Sequence, residues 1–85
     1  ENIVPIQPIY PEVAKSMGIE GTVFVKFFLD KWGKVDPNKI TIIKGVVTLN
    51  EAAIEAVKRS KWRPAQQGNK RVGVYQTVPI KFELK

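Results

Sequence analysis

The side chains that most often carry catalysis or bind metals are scarce in this sequence of 85 residues. It has no histidine and no cysteine, which removes imidazole bases, thiolate nucleophiles, disulfides and the usual zinc ligands. The 8 Asp and Glu residues are scattered, and no two have a spacing that indicates a general acid and base. Ser16 and Ser60 lack an imidazole to activate them. We therefore predict that the protein is not an enzyme and has no catalytic residue, metal site or cofactor.

The charge of the chain is the first feature that indicates a kind of partner. Its 14 Lys and Arg residues against 8 Asp and Glu give a formal net charge of +6. That balance favours nucleic acids, anionic lipids and acidic peptides or polymers. No apolar run is long enough to span a membrane, and no signal-peptide pattern is present. Because the chain begins at Glu1 instead of Met, we interpret it as a piece of a longer protein whose anchor or targeting segment lies upstream.

The strongest backbone pattern is the alternation at the end of the chain, from Arg71 to Leu84. Apolar residues at every second position predict a strand with one buried face. Pro79 falls among the outward positions, and since proline cannot donate to a ladder, the strand is predicted at a sheet edge. A long edge strand is either protected against aggregation or used to capture an extended peptide. We interpret this edge as a peptide-binding site; an ordinary edge protected by Lys81, Pro79 and Arg71 is the alternative.

The rest of the chain predicts elements that can position this strand. Two helices are indicated, one by Pro11, Glu12 and the stop at Gly18, the other by an apolar stripe. The second helix is predicted to begin with a capping box at Thr48-Leu49-Asn50-Glu51. In chain order the predicted elements are an extended proline-containing arm (1–9), a helix from about Tyr10 to Gly18, strands Gly21–Leu29 and Val35–Lys44, a helix from Leu49 to about Lys61, a polar loop (65–70) and the last strand.

Two details of the middle strands affect the site. The hairpin Asp30–Lys34 carries Trp32, which we interpret as a residue packed on lysine stems, with a partner contact as the alternative. Asp36-Pro37-Asn38 predicts an irregular entry to the second strand. A hairpin followed by a helical crossover gives a three-stranded antiparallel sheet with both helices on one face. The fold class predicted is therefore α+β, with an extended N-terminal arm.

A small nucleic-acid-binding domain is an alternative that the charge favours. An RNA-recognition sheet needs aromatic residues on one face of a central strand. Here Phe24 and Phe27 fall on opposite faces of the predicted strand, and only the second half of the RNA-binding motif is present at Gly21–Phe27. We therefore predict no nucleic-acid partner.

Several short motifs, in a fixed order from Gln7 to Leu84, resemble the C-terminal domain of the TonB family of energy transducers. Their order and spacing carry the resemblance, since no single motif is specific. They are Tyr10-Pro11-x-x-Ala14, Gly18-x-x-Gly21-x-Val23-x-Val25-x-Phe27, Gly33-x-Val35, Leu49-x-x-Ala52-Ala53-x-x-Ala56, Trp62-x-Pro64-Ala65 and Val78-Pro79-Ile80-x-Phe82. On this resemblance residues 1–9 form the end of a periplasmic linker and residues 10–85 form the TonB-like domain.

The resemblance implies a periplasmic domain of a protein anchored in the inner membrane of a Gram-negative cell. An inner-membrane proton-motive-force complex would drive it through the upstream anchor. Its partners would be the N-terminal box and plug of outer-membrane transporters for iron chelates (siderophores) and cobalamin, the box adding as a strand to the sheet edge. The partner-binding residues so implied are Gln7, Ile9, Tyr10, Arg71, Val72, Gly73, Val74, Tyr75, Gln76 and Thr77.

A structural module is the second hypothesis. Such a periplasmic domain would self-associate through the same edge as a homodimer, or bind peptidoglycan through its positive surface. Self-association that depends on concentration, without a response to a transporter peptide, would favour it.

Overall fold

The computed structural model describes residues 2–4 and 6–84, and within them both helices pack on one face of a three-stranded antiparallel sheet. This is the predicted α+β architecture. The elements are β1 (Asn2–Val4), α1 (Glu12–Ser16), β2 (Gly21–Leu29), β3 (Val35–Lys44), α2 (Val47–Arg59), β4 (Lys61–Trp62), β5 (Ala65–Gln67), β6 (Lys70–Val72) and β7 (Val74–Phe82). The main sheet has the order β3-β2-β7, and the pairs β1–β4 and β5–β6 form two small separate ladders.

The core lies between the helices and one face of β2, the face that carries its odd-numbered residues. Val23, Val25 and Phe27 are fully buried, as the alternation predicts. Ala53 and Ala56 of α2 are also buried, and their small side chains let the helix approach the sheet closely. The opposite face of β2 carries Thr22, Phe24, Lys26 and Phe28, and none of the described helices covers it.

The two neighbours of β2 differ in regularity. β7 pairs with β2 in one unbroken register, from Gly21 opposite Phe82 to Leu29 opposite Val74. The pairing of β3 with β2 shifts register twice. One of these shifts lies opposite Asp36-Pro37-Asn38, which confirms the irregular entry predicted there.

The predicted last strand is divided in the structure, which corrects the sequence interpretation. Gly73 separates β6 from β7, at the point where the pairing with β2 ends, and a Cβ at this position would overlap the ring of Phe28. β6 then pairs with β5, so most of the segment predicted as a polar loop, residues 65–70, is a small hairpin. The alternation itself is confirmed, since Ile80 and Phe82 are buried against the helices and Tyr75 is exposed.

The predicted start of the second helix is wrong by two residues. α2 begins at Val47 after the N-cap Val46, and no side chain of the N-cap bonds to the helix. Asn50 takes the capping role from inside the helix, since its Oδ1 accepts a hydrogen bond from the Val46 N–H at 2.9 Å. Thr48 and Glu51 are both exposed and lie within the first turns of the helix, so the capping box does not form.

α1 ends at Ser16 with Met17 as its C-cap, and the predicted stop, Gly18, follows with a φ of 66° in the left-handed region. Its start differs by one position, because Pro11 is the extended N-cap and not the first helical residue. Within the described arm, β1 pairs with β4. None of the described helices is long and apolar enough to cross a membrane.

Candidate functional site

The outer edge of β7 is the main candidate site. β7 is the terminal strand of the sheet in the part of the chain that the structure describes, so its second side is open to another strand. Proline in a sheet turns its nitrogen away from the ladder, and backbone groups alternate sides along a strand. Tyr75, Thr77 and Lys81 alternate with the same phase as Pro79, so we infer that their N–H and C=O groups also point outward. This edge therefore offers donors at three positions and a gap at Pro79.

The side chain of Tyr75 is held in a defined position beside this edge. It is 57% exposed, yet its ring meets that of Phe28 edge-on with centroids 5.1 Å apart. The Nζ of Lys26 lies 4.9 Å from the centre of the Tyr75 ring. Lys39 approaches the Phe28 ring at the same distance, 4.9 Å. A pre-positioned aromatic ring of this kind loses little conformational entropy when a partner covers it.

The predicted partner-binding residues at the end of the chain fall into two groups. Val74, Tyr75, Gln76 and Thr77 belong to β7 and follow its open edge. Arg71 and Val72 belong to β6, which is paired with β5, and Gly73 lies between the two strands. The structure therefore places Val74–Thr77 on the open edge and Arg71–Gly73 at its N-terminal end.

The predicted residues of the arm lie along the body of the domain. The backbone carbonyl of Gln7 accepts a weak hydrogen bond, 3.5 Å long, from the Arg59 guanidinium. Ile9 is 67% exposed. The ring of Tyr10 packs edge-on against Phe82 at the C-terminal end of β7, with centroids 5.5 Å apart. Tyr10 thus connects the arm to the same strand whose outer edge is open, but at the end away from Arg71.

The hydroxyl of Tyr10 adds a second connection. It donates a hydrogen bond to the carbonyl oxygen of Ile19, in the loop after α1. Partial burial, with a smaller contribution from the negative charge of Glu20, raises the pKa of the Tyr10 phenol above its usual value. Glu20 in turn accepts a hydrogen bond from the backbone N–H of Leu84 at 2.7 Å. The arm, the α1 loop and the end of the chain are therefore joined by adjacent polar contacts.

A second feature, which the sequence interpretation missed, is a basic groove at the end of the sheet away from Tyr10 and Phe82. It has a volume of about 750 Å³ and lies between the β2–β3 turn and the end of α2. Among the described residues that line it are two tryptophans and four cationic side chains, and none of these described residues carries a carboxylate. These are Trp32, Gly33, Lys34, Val35, Lys58, Arg59, Ser60, Lys61 and Trp62. From the sequence alone, the basic residues at positions 58, 59 and 61 are explained by the favourable interaction of cations with a helix C-terminus.

The wall of the groove at Trp62 is fixed from two sides. Its indole Nε1–H donates to the Ser60 hydroxyl at 2.9 Å, and that hydroxyl donates to the Val57 carbonyl at 2.6 Å. Its ring also packs against buried Phe27, with centroids 5.5 Å apart. Gly33 brings the opposite turn into contact with this wall, since a Cβ there would overlap the Trp62 carbonyl oxygen.

The wall at Trp32 is fixed by the turn that carries it. The Asp30 carboxylate accepts hydrogen bonds from the N–H groups of Trp32 and Lys34, at 2.8 and 2.9 Å. The bond from Lys34 is the main reason why the pKa of Asp30 lies below its usual value. The Trp32 ring is 57% exposed, with Lys31 and Arg71 near its face at 5.5 and 5.0 Å. These contacts are with the charged groups of Lys31 and Arg71, so packing on lysine stems and contact with a partner both stay predictions for Trp32.

Comparisons with known proteins agree on one family. The family model described as the Gram-negative bacterial TonB protein C-terminal matches residues 6–84. A protein TonB of Vibrio cholerae is 34% identical over 80 residues, which cover 94% of this chain and 33% of the relative. The tonB2 protein of Pseudomonas aeruginosa is 35% identical over 91% of this chain and 28% of its own length. A protein TonB of Klebsiella pneumoniae is 38% identical over 93% of this chain and 30% of its length.

A comparison of structures gives the same result for the fold. The solution NMR structure of the Pseudomonas aeruginosa TonB C-terminal domain matches with a TM-score of 0.79 and 24% sequence identity. The match covers all of this chain and 86% of that one. In sequence, the chain spans about a third of the length of the curated relatives it matches.

Proposed function

Because this chain belongs to the family of TonB C-terminal domains of Gram-negative bacteria, we propose that it is the receptor-binding domain of an energy transducer. The domain lies in the periplasm, and an inner-membrane anchor upstream connects it to a complex driven by proton-motive force. It binds the N-terminal box of outer-membrane transporters for iron chelates, cobalamin and similar nutrients. The box adds as a fourth strand to the outer edge of β7, which couples the two membranes mechanically.

The regular register of β7 is the observation that carries this proposal. A strand that pairs with its neighbour over nine residues without a shift keeps its outward groups in one regular phase, which in β7 lacks a donor only at Pro79. The opposite edge of the sheet, on β3, has two register shifts, which resist strand addition. β7 is therefore the better template of the two edges.

The proposed bond is suited to carrying force without chemistry. Each backbone hydrogen bond contributes about 0.5–1.5 kcal/mol net, and the contribution depends little on the partner's sequence. When the partner is pulled along β7, the bonds of the ladder share the load because they lie in parallel. Specificity then comes from side chains beside the edge, among them Tyr75 and Thr77, and from the positive charge of the domain.

Replacement of Tyr75 by proline tests the edge directly. Tyr75→Pro removes one outward N–H, and the strand already contains Pro79 with the same phase, so we expect the fold to survive. The affinity for a ten-residue peptide copied from a transporter N-terminus should fall about fivefold or more, since one ladder bond is lost and a partner group is left unsatisfied. Calorimetry measures the affinity, and amide shifts map the contacts.

The matched control is Tyr75→Ala, which removes the ring but keeps the N–H. If both variants bind equally, the side chain and not the ladder carries affinity at this position. A folded Tyr75→Pro variant with unchanged affinity would count against β7 as the site. A random single-stranded oligonucleotide serves as a second ligand, because Phe24, Lys26 and Phe28 share the uncovered face of the sheet. Amide shifts only with the oligonucleotide would favour nucleic-acid binding, and concentration-dependent dimers without a peptide response would favour the structural module.

A further inference from the structure

We propose that the basic groove between Trp32 and Trp62 binds an acidic segment of the same partner chain whose strand pairs with β7. This inference rests on the proposed function and adds a recognition chemistry to it. The groove would select partners that carry Asp or Glu next to the strand-forming box.

Charge complementarity identifies the occupant as anionic. Lys34 comes from the β2–β3 turn, Lys58 and Arg59 from the end of α2, and Lys61 from β4, so three separate elements direct cations to one groove. Helix capping explains cations at the end of α2 but not the lysine of the turn. Lys58 pairs with Glu55, which is itself exposed, at 3.5 Å, and the Asp30 carboxylate interacts with the charge of Lys34. Cations still outnumber carboxylates among the described residues around the groove.

The two tryptophans indicate a peptide as the source of that negative charge. Tryptophan and arginine are the residues that most often dominate the binding energy of protein interfaces. The indole of Trp62 is held in place before any partner arrives, by its hydrogen bond to Ser60 and its contact with Phe27. The backbone of the turn that carries Trp32 is held by Asp30. A groove that is partly fixed in advance loses less entropy on binding.

The groove lies near the N-terminal end of the open edge of β7. Arg71 lies in β6 directly before that edge begins at Val74, and its guanidinium carbon is 5.0 Å from the centre of the Trp32 ring. Trp32 itself lines the groove. Whichever direction the partner strand takes along β7, one of its ends arrives at this corner of the domain. The next residues of the partner are then beside the groove.

The test uses two pairs of synthetic peptides built on the transporter-derived segment. In the first pair, one peptide carries four glutamates at its N-terminal end and the other carries them at its C-terminal end. In the second pair, four glutamines replace the glutamates at the same ends. We expect one glutamate peptide to bind about tenfold more tightly than its glutamine partner at low salt, since each exposed ion pair contributes up to a factor of about five. The gain should largely disappear at about 0.5 M salt. The indole N–H signals of Trp32 and Trp62 should shift only with that peptide.

A charge-matched pair of variants assigns the gain to the groove. Lys34→Gln/Lys58→Gln removes two cations of the groove, whereas Lys15→Gln/Lys44→Gln removes two exposed cations of α1 and β3. Each variant lowers the net charge from +6 by two, to +4, so long-range attraction falls equally. The glutamate gain should be lost in the first variant and retained in the second.

The outcomes separate the two proposals. Suppose that the glutamine peptides shift the β7 amides but the glutamate peptides bind no more tightly. The groove proposal is then wrong and the edge proposal stands. The same conclusion follows if the gain in affinity from glutamate is unchanged in the Lys34→Gln/Lys58→Gln variant. If a sulfated saccharide shifts both indoles while the glutamate peptides do not, the groove binds an anionic glycan and the peptide proposal is again overturned. If no peptide shifts β7, both proposals fail together.

Discussion

At the scale of single residues, glycine decides how closely two segments approach. Gly33 has a φ of 79°, and a Cβ there would meet the Trp62 carbonyl oxygen. Gly68 has a similar φ of 64°, but no atom lies within 4 Å of the Cβ position. The pair therefore separates backbone strain from steric overlap.

We predict that Gly33→Ala destabilises the domain by about 3 kcal/mol, and Gly68→Ala by only about 1 kcal/mol. Both variants force alanine into the left-handed region, which costs about 1–2 kcal/mol. Only Gly33→Ala also pushes the β2–β3 turn away from a backbone carbonyl that cannot rotate aside. Urea unfolding measures both values, and equal losses would show that the turn moves without resistance.

At the scale of elements, α2 shows how a motif in the sequence can be displaced by a better arrangement. The capping box at Thr48 and Glu51 fits the pattern, but the helix begins at Val47. Asn50 then bonds to the Val46 N–H, and its side chain fills the space that Gly45 leaves open. The true start depends on this close approach of two residues, which no local pattern records.

Asn50→Ala and Thr48→Ala distinguish the two capping arrangements. We expect Asn50→Ala to lower the free energy of unfolding by about 0.5–2 kcal/mol, because the Val46 N–H loses its acceptor. Thr48→Ala should change it by no more than a few tenths, since the exposed hydroxyl caps nothing here. If Thr48→Ala lowered the free energy of unfolding more than Asn50→Ala does, in thermal or urea unfolding, the capping box would be the arrangement that forms.

At the scale of the whole molecule, Tyr10 joins parts that are distant in the chain. Its ring contacts Phe82 and its hydroxyl bonds to Ile19, so the arm, the α1 loop and β7 are held together by one side chain. Partial burial raises its pKa in the folded state. Folding therefore favours the protonated phenol, and the stability it contributes is complete below the unfolded pKa of about 10. That stability is lost as the pH rises through the higher pKa of the folded state.

We predict that the parent protein exceeds Tyr10→Phe in stability at about pH 9, and that the difference shrinks as the pH rises above about 10, where the phenol of the unfolded chain ionises. Phenylalanine keeps the ring against Phe82 but has neither the hydrogen bond nor a titrating group. Urea midpoints at several pH values give the difference, and the titration of lysines cancels because both proteins share them. A difference that does not depend on pH would mean that folding does not shift the pKa of Tyr10.

Much of the domain follows from local pattern alone. The period of the strands predicts the alternating faces of β7 and the burial of the odd-numbered residues of β2 from Val23 to Leu29. The backbone freedom of one glycine predicts that α1 stops before Gly18, and Pro79 predicts that β7 is terminal in its sheet. The motif order from Gln7 to Leu84 also identified the family. These are properties that neighbours in sequence determine.

Only the tertiary structure decided the division at Gly73 and the basic groove. The division falls where β2 ends, opposite Val74, and where the ring of Phe28, far away in sequence, occupies the space beside Gly73. The groove exists because the turn at Trp32, the end of α2 and Trp62 meet where Gly33 permits contact. Charge and aromatic character were visible in the sequence, but their convergence depends on distances between residues about 30 positions apart, which arise only when β2, β3 and α2 pack together.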